Sequence, residues 1–407
     1  MEDLFMNILV LGNGFDLAHG LPTKYEHFLE FVDIYKKYRD ILIPGESKKS
    51  AWEKEEGLRQ EFLLYLANLC DQKKKIFAEL AEMISENIWI DYFLSIFTQM
   101  KQEGREGWID FESEISNIVQ EFESIRLEML FNLKNDQEVT YLKPYQIDKL
   151  ERFFINDEEP ETLEGIAKIK KQMLEDLNKL IRALEIYLSD YVNNLPVSKR
   201  LPDIDELKID KVLSFNYTNT YERIYGKDKP DIKYDYIHGK AEISHDINSC
   251  KLVLGIDEYL IGEERNSNTE FIQFKKFFQR IYKKTGCKYV DWLKEYEANN
   301  IGKYASLEAE DLNVYIFGHS LDVTDKDIMR RLILSEAGRM FKRDGLKAQT
   351  TIFHFNQDAL GKQIANLVKV IGQDNLISMV HGSDARIILQ QQQDAKNVED
   401  EKKEEKI

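Results

Sequence analysis

Several apolar runs of this chain end on residues that could hold or activate a polar ligand. The run in KVLSFNYTN leads to Asn216, the run in YDYIHGK leads to His238, and the run in VYIFGHSLDVTD leads to Gly318. Ligands bind at the carboxyl ends of strands in open α/β sheets, so this recurrence predicts a binding site. Other small or polar residues that follow these runs and a fourth run, TIFHFNQD, are Ser214, Thr218, Gly239, His319, Ser320, Asp322 and Asn356.

A pair of glycines follows the first apolar run. The stretch LVLGNGFDLAHGLPTKY, which begins at Leu9, places Gly12 and Gly14 directly after a strand-like segment. Glycine has no Cβ, so its backbone can approach a pyrophosphate, and a helix that follows offers free N–H groups. Leu17 stands where the third glycine of G-x-G-x-x-G would fall. A tight strand-to-helix turn therefore explains the glycine pair as well as phosphate binding does.

The runs that carry these residues have the length of strands and alternate with helical patterns. Helical periodicity covers residues 327–341 and 360–371. Strands that alternate with helices predict an α/β fold with a Rossmann-like, largely parallel sheet. The predicted strands are residues 7–11, 211–215, 233–237, 251–254, 314–317, 351–355 and 377–380.

Two charged stretches with helical periodicity interrupt this alternation. Residues 46–198 and 268–299 are predicted to be helical insertions into one core. The tail, residues 390–407, is polar without periodicity and is predicted to be disordered. The discontinuous core is predicted to consist of residues 1–45, 199–267 and 300–389.

The composition and charge of the chain argue against several classes of protein. The formal charge of −17 argues against broad nucleic-acid binding, which needs a cationic surface. The chain contains no long apolar run for a membrane span, no secretory signal at its start, and three widely separated cysteines. No pairing of cysteines suited to zinc is present, and no metal is expected. We therefore expect a cytoplasmic protein without membrane contact.

Six phrases of the chain together resemble the AbiH family of bacterial phage abortive-infection proteins. They are GNGFDLAHGLPTKY, WIDFESEI, SFNYTN, IHG, LGID and FGHSLDVTD, and they extend over nearly the whole chain. The resemblance implies a role in anti-phage defence and a phage trigger, which the sequence does not identify. It leaves open whether the protein forms a homo-oligomer.

The order of the motifs also resembles, more distantly, the sirtuin-type NAD-binding fold. The phrases GNG, GLP, SFNYT, HG and GHSL are similar to its Gly-Ala-Gly, Gly-Ile-Pro, Thr-x-Asn-x-Asp, His-Gly and Gly-Thr-Ser-Leu motifs. This resemblance implies NAD as substrate or ligand, with His238 as the base and Asn216 bonded to ribose or water. The residues it implies for cofactor binding are Gly12, Asn13, Gly14, Phe15, Asp16, Pro22, Ser214, Thr218, Gly318, Ser320 and Asn356.

Two departures from the sirtuin pattern leave an alternative open. The zinc module is absent, so removal of acyl groups from protein lysines is not expected. Thr218 stands where the family has an aspartate near the nicotinamide ribose. The two hypotheses are hydrolysis of the nicotinamide–ribose bond, and a sensor of NAD or ADP-ribose whose helical insertion acts on a partner or on RNA.

Several polar residues also have a purely structural interpretation. Asp322 and Asp325 fit the start of a helix, where aspartate caps free N–H groups. His319 fits a packing role or a bond to the backbone, and Asp16 fits either a ribose contact or a helix cap. WIDFESEI could dock the insertion over the site or belong to core and surface.

Overall fold

The structure, a computed structural model, describes residues 5–40, 42, 55–105, 109–135, 142–154, 160–300, 311–334, 349–382 and 385–397. The chain divides into two units, each with its own internal contacts. The sheet unit comprises Met1–Thr23, Val192–Lys240 and Lys284–Ile407, and the helical unit comprises Lys24–Tyr191 and Ala241–Lys283.

A six-stranded parallel sheet forms the centre of the sheet unit. Neighbouring strands all run in the same direction. The chain extends the sheet from β1 first to one side and later to the other, so a topological switch point lies between β1 and β5. The predicted α/β fold with a Rossmann-like parallel sheet is thereby confirmed. In spatial order the strands are β4 (Lys233–Tyr236), β3 (Lys211–Ser214), β1 (Phe5–Leu11), β5 (Asp311–Phe317), β6 (Gln349–His354) and β7 (Ile387–Gln391); β2 (Lys199–Arg200) and β8 (Lys396–Asn397) pair separately.

Helices account for most of the remaining described residues. Helices α2 to α8, α11 and α12 belong to the helical unit, and the others belong to the sheet unit. None of the helices in the described part of the chain is both long and apolar enough to cross a bilayer. In chain order they are α1 (Asn13–Ala18), α2 (Tyr25–Tyr38), α3 (Gly57–Gln72), α4 (Lys74–Ile84), α5 (Ile88–Gln102), α6 (Phe111–Lys134), α7 (Pro144–Leu150), α8 (Leu163–Ile186), α9 (Pro202–Asp205), α10 (Thr220–Ile224), α11 (Glu264–Ser267), α12 (Lys276–Lys283), α13 (Lys288–Asn300), α14 (Lys326–Ile333), α15 (Gln357–Ile371) and α16 (Gln373–Val380).

Strand β1 is buried on both faces. Met6, Ile8 and Val10 join one apolar cluster, whereas Leu9 and Leu11 join a second. Successive side chains of a strand point to opposite faces, so these clusters cover the two sides of the sheet. Burial on both faces explains why the strand is a continuous apolar run rather than an alternating one.

Two predicted strands are wrong. Residues 252–254 are buried and Lys251 is exposed, but residues 251–254 form no ladder. The only pairing nearby in the described residues is one bridge from Ile256 to Lys275. Residues 377–380 lie in helix α16, where Leu376 and Met379 face the core three residues apart. An apolar run of four residues fits a strand, a buried extended segment or one helical turn equally well.

The predicted domain boundaries also need correction. Helix α2, which was assigned to residues 1–45 of the core, packs in the helical unit, where Phe31 contacts Phe62. Helix α13 was assigned to the second insertion, but Trp292 and Tyr296 lie in an apolar cluster of the sheet unit. Helical periodicity identifies a helix without indicating which core its apolar side covers.

The predicted disordered tail is wrong for its first residues. Gln390 and Gln391 close strand β7, and β8 pairs with β2 through Lys396 and Asn397. Main-chain pairing orders this segment although its side chains are polar. Residues 398–407 lie outside the described part of the chain.

The WIDFESEI motif has a structural role in the helical unit. Asp110 caps α6 by accepting from the amides of Glu112 and Ser113 at 3.0 and 3.2 Å. Glu112 pairs with the buried Lys276 at 2.6 Å. Trp108 lies outside the described residues. The two acidic residues therefore begin one helix and fix it to another.

The loops that follow β1 and β5 touch backbone to backbone. The amide of Gly12 donates to the carbonyl of Phe317 at 3.0 Å, and the amide of Gly14 donates to that of Gly318 at 2.9 Å. A Cβ on Gly12 would lie 2.6 Å from the Gly318 oxygen, and a Cβ on Gly318 would lie 2.2 Å from the Phe15 nitrogen. Gly318 also has a φ of +68°, which side chains disfavour. Close packing of two loops therefore requires these glycines.

We expect Gly318→Ala to lower the free energy of unfolding by about 2–4 kcal/mol, because it adds both backbone strain and overlap. Urea unfolding measures this change. Gly361→Ala is the matched control, because its Cβ would meet nothing within 4 Å in helix α15. The control should keep or slightly raise stability, by up to about 1 kcal/mol. Equal stabilities of both variants and the parent would contradict the packing role.

Candidate functional site

Hydrogen bonds join the loop from Gly12 to Gly14 to Thr23, which follows the Gly-Leu-Pro segment of the same stretch. The Thr23 hydroxyl donates to Asn13 Oδ1 at 2.6 Å, and Asn13 Nδ2 donates to the Thr23 carbonyl at 3.4 Å. Pro22 beside them is buried. Because the amides of Gly12 and Gly14 already donate to carbonyls of the β5 loop, their role in binding a phosphate stays a prediction.

Asn216 joins the end of β3 to the same loop. Its Nδ2 donates to the carbonyl of Gly12 at 3.0 Å. Its amide donates to the Ser214 hydroxyl, and that hydroxyl donates to the Asn216 carbonyl, both at 3.1 Å. The structure thus brings three predicted site residues together, with Asn216 holding the loop in place.

Asp16 and Thr218 join helix α1 to the segment after β3. The Thr218 hydroxyl donates to Asp16 Oδ2 at 2.6 Å, and the Thr220 hydroxyl donates to that of Thr218 at 3.2 Å. Asp16 Oδ1 is buried and has no hydrogen-bond partner among the described residues. Burial raises the pKa of Asp16 to about 6, and the two hydroxyls and the Arg223 charge oppose that rise.

The contact between Asp16 and Thr218 restricts which side chain fits at position 218. The sirtuin pattern has a carboxylate at this position, and here Asp16 brings one within hydrogen-bond distance of it. An aspartate at 218 would place two buried carboxylates side by side, and one would have to keep its proton. Asp16 lies inside α1, whose N-cap is Gly12, so it is not a helix cap. The cavity beside it measures about 10 Å³, which is room for one water molecule.

A buried carboxylate lies between two imidazoles at the ends of β4 and β5. Asp325 Oδ1 is 3.5 Å from His238 Nε2, and Asp325 Oδ2 is 3.5 Å from His319 Nε2. The side chains of His238, His319 and Asp325 are only 7, 5 and 11% exposed. The Phe215 ring contacts both imidazoles, with centroids 5.7 and 4.4 Å away.

The tautomer of His319 follows from its backbone contact. The amide of Leu321 donates to His319 Nδ1 at 2.9 Å, so the proton of the neutral ring resides on Nε2 and faces Asp325. Leu321 reaches this position with a φ of +58°, a strained value for a residue with a side chain. The predicted backbone contact of His319 is confirmed.

Asp325 was predicted to be a helix cap, and this is wrong. It occupies the N-cap position of α14, but its side chain makes no capping bond there. Asp322 does cap, since it accepts from the Thr324 amide at 3.0 Å. A carboxylate that contacts an imidazole orients the ring and stabilises the imidazolium formed when it accepts a proton. A role of His238 as a general base stays a prediction. No group of three or more His, Cys, Asp or Glu in the described residues could hold a metal ion.

Ser320 and Asn356 have contacts of another kind. The Ser320 side chain is exposed, and its carbonyl accepts from Asn366 Nδ2 at 3.0 Å. Asn356 is exposed as well and caps α15 by accepting from the Ala359 amide at 2.8 Å. Helix capping explains Asn356, and an adenosine contact of either residue stays a prediction.

The only signal that could have identified the Asp325 contact lies in the histidines. His238 lies two residues past the end of β4 and His319 two residues past the end of β5, and both adjoin a glycine. Two such histidines would meet if their strands lay near each other, but the position of Asp325 depends on the turn after β5. His19 is structural instead: its Nε2 contacts the Tyr225 hydroxyl at 2.9 Å, and burial lowers its pKa.

The fold and these contacts define a Rossmann-like α/β protein with polar residues gathered at the carboxyl ends of its strands. The chain matches the family model described as "Bacteriophage abortive infection AbiH" over residues 8–341. That match covers most of the chain, so the chain belongs to the AbiH family, as its phrases predicted. No curated protein and no solved structure matches it.

We expect Asp16→Asn to gain stability relative to the parent as the pH rises from about 4 to about 7. The pKa of Asp16 is raised from 3.8 to about 6, so the folded parent holds this proton more tightly than the unfolded chain does. Its stabilising contribution is complete below about pH 4 and is lost as the pH rises through about 6.

The variant has no such proton to lose. The difference in unfolding free energy between variant and parent should therefore shift by about 3 kcal/mol in favour of the variant over this range. Urea unfolding of both proteins at several pH values measures it. A difference that does not change with pH would contradict the raised pKa.

Proposed function

We propose that this AbiH protein is an anti-phage effector that binds NAD at the carboxyl ends of β1, β3, β4 and β5 and hydrolyses its nicotinamide–ribose bond. The observation that carries the proposal is the buried His238 at the end of β4, whose Nε2 lies 3.5 Å from Asp325. Doubly wound sheets bind nucleotides beside the strand ends at their switch point, which supports the choice of ligand.

In this proposal His238 accepts a proton from a water molecule that attacks C1′ of the ribose. The bond between C1′ and the nicotinamide nitrogen breaks, and its electron pair goes to that nitrogen. The products are nicotinamide, ADP-ribose and one proton. Asp325 stabilises the positive charge that His238 acquires.

The remaining predicted residues would hold the substrate. Asn216 would bond to a ribose hydroxyl or to the water, for which Nδ2 has to leave the Gly12 carbonyl. The loop amides from Gly12 to Gly14 would hold the pyrophosphate, and Asp16 would bond to a ribose hydroxyl. Gly318, Ser320 and Asn356 would face the adenosine. Such positioning lowers the entropic part of the barrier.

A nucleotide sensor is the second candidate, and two contacts favour it. The amides of Gly12 and Gly14 are engaged within the protein, and the Thr218 hydroxyl is bonded to Asp16. The first would weaken binding of the pyrophosphate, and the second would make the Thr218 hydroxyl unavailable to the nicotinamide ribose. In this alternative the site senses NAD or ADP-ribose, and the helical unit acts on a partner or on RNA.

We expect purified protein to release nicotinamide from NAD at neutral pH, alone or after addition of lysate from phage-infected cells. His238→Ala should lower the rate by about 10²–10⁴-fold, because it removes the general base. Asp325→Asn should lower it less, since the base remains but loses its orientation. Chromatographic measurement of nicotinamide against time gives the rates.

His381→Ala is the matched control, because His381 is exposed at the end of α16. Its rate should equal that of the parent. Failure to release nicotinamide under both conditions, together with NAD binding by calorimetry, would overturn hydrolysis and support the sensor. An equal rate in His238→Ala would remove His238 from the mechanism.

A further inference from the structure

Arg223 on helix α10 has an unpaired guanidinium edge. Its Nη1 donates to the main-chain carbonyls of Asn193 and Leu195 at 2.5 and 2.8 Å. Its Nε and Nη2 are buried and have no hydrogen-bond partner among the described residues. These two groups form the side of a guanidinium that binds two oxygens of one carboxylate or phosphate.

Other arginines of the protein show what this edge normally binds. In three of them Nε and Nη2 both donate to a single carboxylate, and the pairs are Arg126–Glu123, Arg182–Glu79 and Arg200–Asp205. Arg200 is the nearest parallel, because its Nη1 also donates to a main-chain carbonyl, that of Ile224. Arg223 makes the same kind of main-chain contact through Nη1, but no carboxylate of the described residues binds its Nε and Nη2.

Leaving this edge unpaired is unfavourable. A buried donor without a partner has lost its hydration without gaining a hydrogen bond, and the loss is greater when the donor is charged. Burial lowers the pKa of the Arg223 guanidinium, and only the Asp16 charge opposes that effect. The Asn193 carbonyl accepts from Arg223 Nη1, and the Asn193 side-chain oxygen is buried without a partner among the described residues. The unmet donors of Arg223 are therefore accompanied by an unmet acceptor on a residue that its guanidinium contacts.

Asp16 indicates the second part of the ligand. Its charge interacts with that of Arg223, and its Oδ1 is buried without a donor in the described part of the chain. Arg223 requires two acceptor oxygens, whereas Asp16 requires one donor. A simple anion would meet the first requirement and be repelled by the Asp16 carboxylate. A ligand that carries a phosphate and hydroxyl groups meets both.

We propose that the Nε–Nη2 edge of Arg223 binds the phosphate group of a ribose phosphate, with a ribose hydroxyl donating to Asp16 Oδ1. This inference rests on the proposed binding of a nucleotide and names the part of it that Arg223 and Asp16 recognise. The cavity beside Asp16 holds only one water, so side chains of α10 have to move when the ribose enters.

Calorimetric titration with ribose 5-phosphate tests the proposal. We expect binding to the parent and a loss of about 10-fold or more in Arg223→Lys, which keeps the charge but not the paired donors. Arg200→Lys is the matched control, because Asp205 already occupies that edge, and its affinity should be unchanged. Ribose alone and inorganic phosphate should each bind more weakly than ribose 5-phosphate.

Asp16→Asn provides a second variant in case Arg223→Lys does not fold, which urea unfolding would reveal. It should weaken ribose 5-phosphate relative to inorganic phosphate, because it replaces a charged acceptor of the hydroxyl with a weaker neutral one and removes a charge that repels phosphate. No binding to the parent, or equal affinity of the parent and Arg223→Lys, would overturn the proposal. Tighter binding of lactate than of ribose 5-phosphate would overturn the choice of phosphate over carboxylate.

The outcomes also separate this inference from hydrolysis. Ribose 5-phosphate binding that depends on Arg223, without release of nicotinamide from NAD, supports the phosphate site and refutes hydrolysis. Release of nicotinamide by a parent whose affinity for ribose 5-phosphate matches that of Arg223→Lys refutes the phosphate site and leaves hydrolysis standing.

Discussion

The backbone contact between the loops after β1 and β5 is the constraint on which the polar end of the sheet depends. The amide of Gly14 donates to the carbonyl of Gly318, and the two backbones lie so close that neither residue could carry a side chain. Asn216 bonds to the Gly12 carbonyl, Asp16 follows in the first helix, and His319 follows Gly318 directly. The close approach of these two loops therefore sets the positions of Asn216, Asp16 and His319.

Most of the sheet could be predicted, because a strand buried on both faces is an uninterrupted apolar run with small or polar residues at its end. Strands β1 and β3 are mostly buried in this way, whereas β4, β5 and β6 also carry polar residues within the strand. Strand β7 escaped prediction because it contains two glutamines and has exposed side chains, and main-chain pairing with β6 orders it. The errors at 251–254 and 377–380 arose because a segment of four residues with three apolar side chains fits several conformations.

The candidate site could be predicted in its residue types but not in its contacts. Asn216 and His238 were recognisable at strand ends, whereas the Asp16–Thr218 bond joins residues 202 positions apart. Asp325 matches a helix start in sequence, and only the turn at Leu321 directs it toward two histidines. The glycine pair shows a further limit, because close loop packing and phosphate binding both require a missing Cβ.

The pairing of β1 has a consequence for synthesis of the protein. Leu9 pairs with Val212 on one side and with Tyr315 on the other, so both neighbours of the first strand lie far along the chain. At about 5–20 residues per second, a ribosome needs about 10–40 s to supply the first of them. During that interval an apolar strand waits outside the ribosome without its sheet, while the helical segments emerge. We therefore expect chaperones to bind the nascent chain at this apolar segment until β3 has been synthesised.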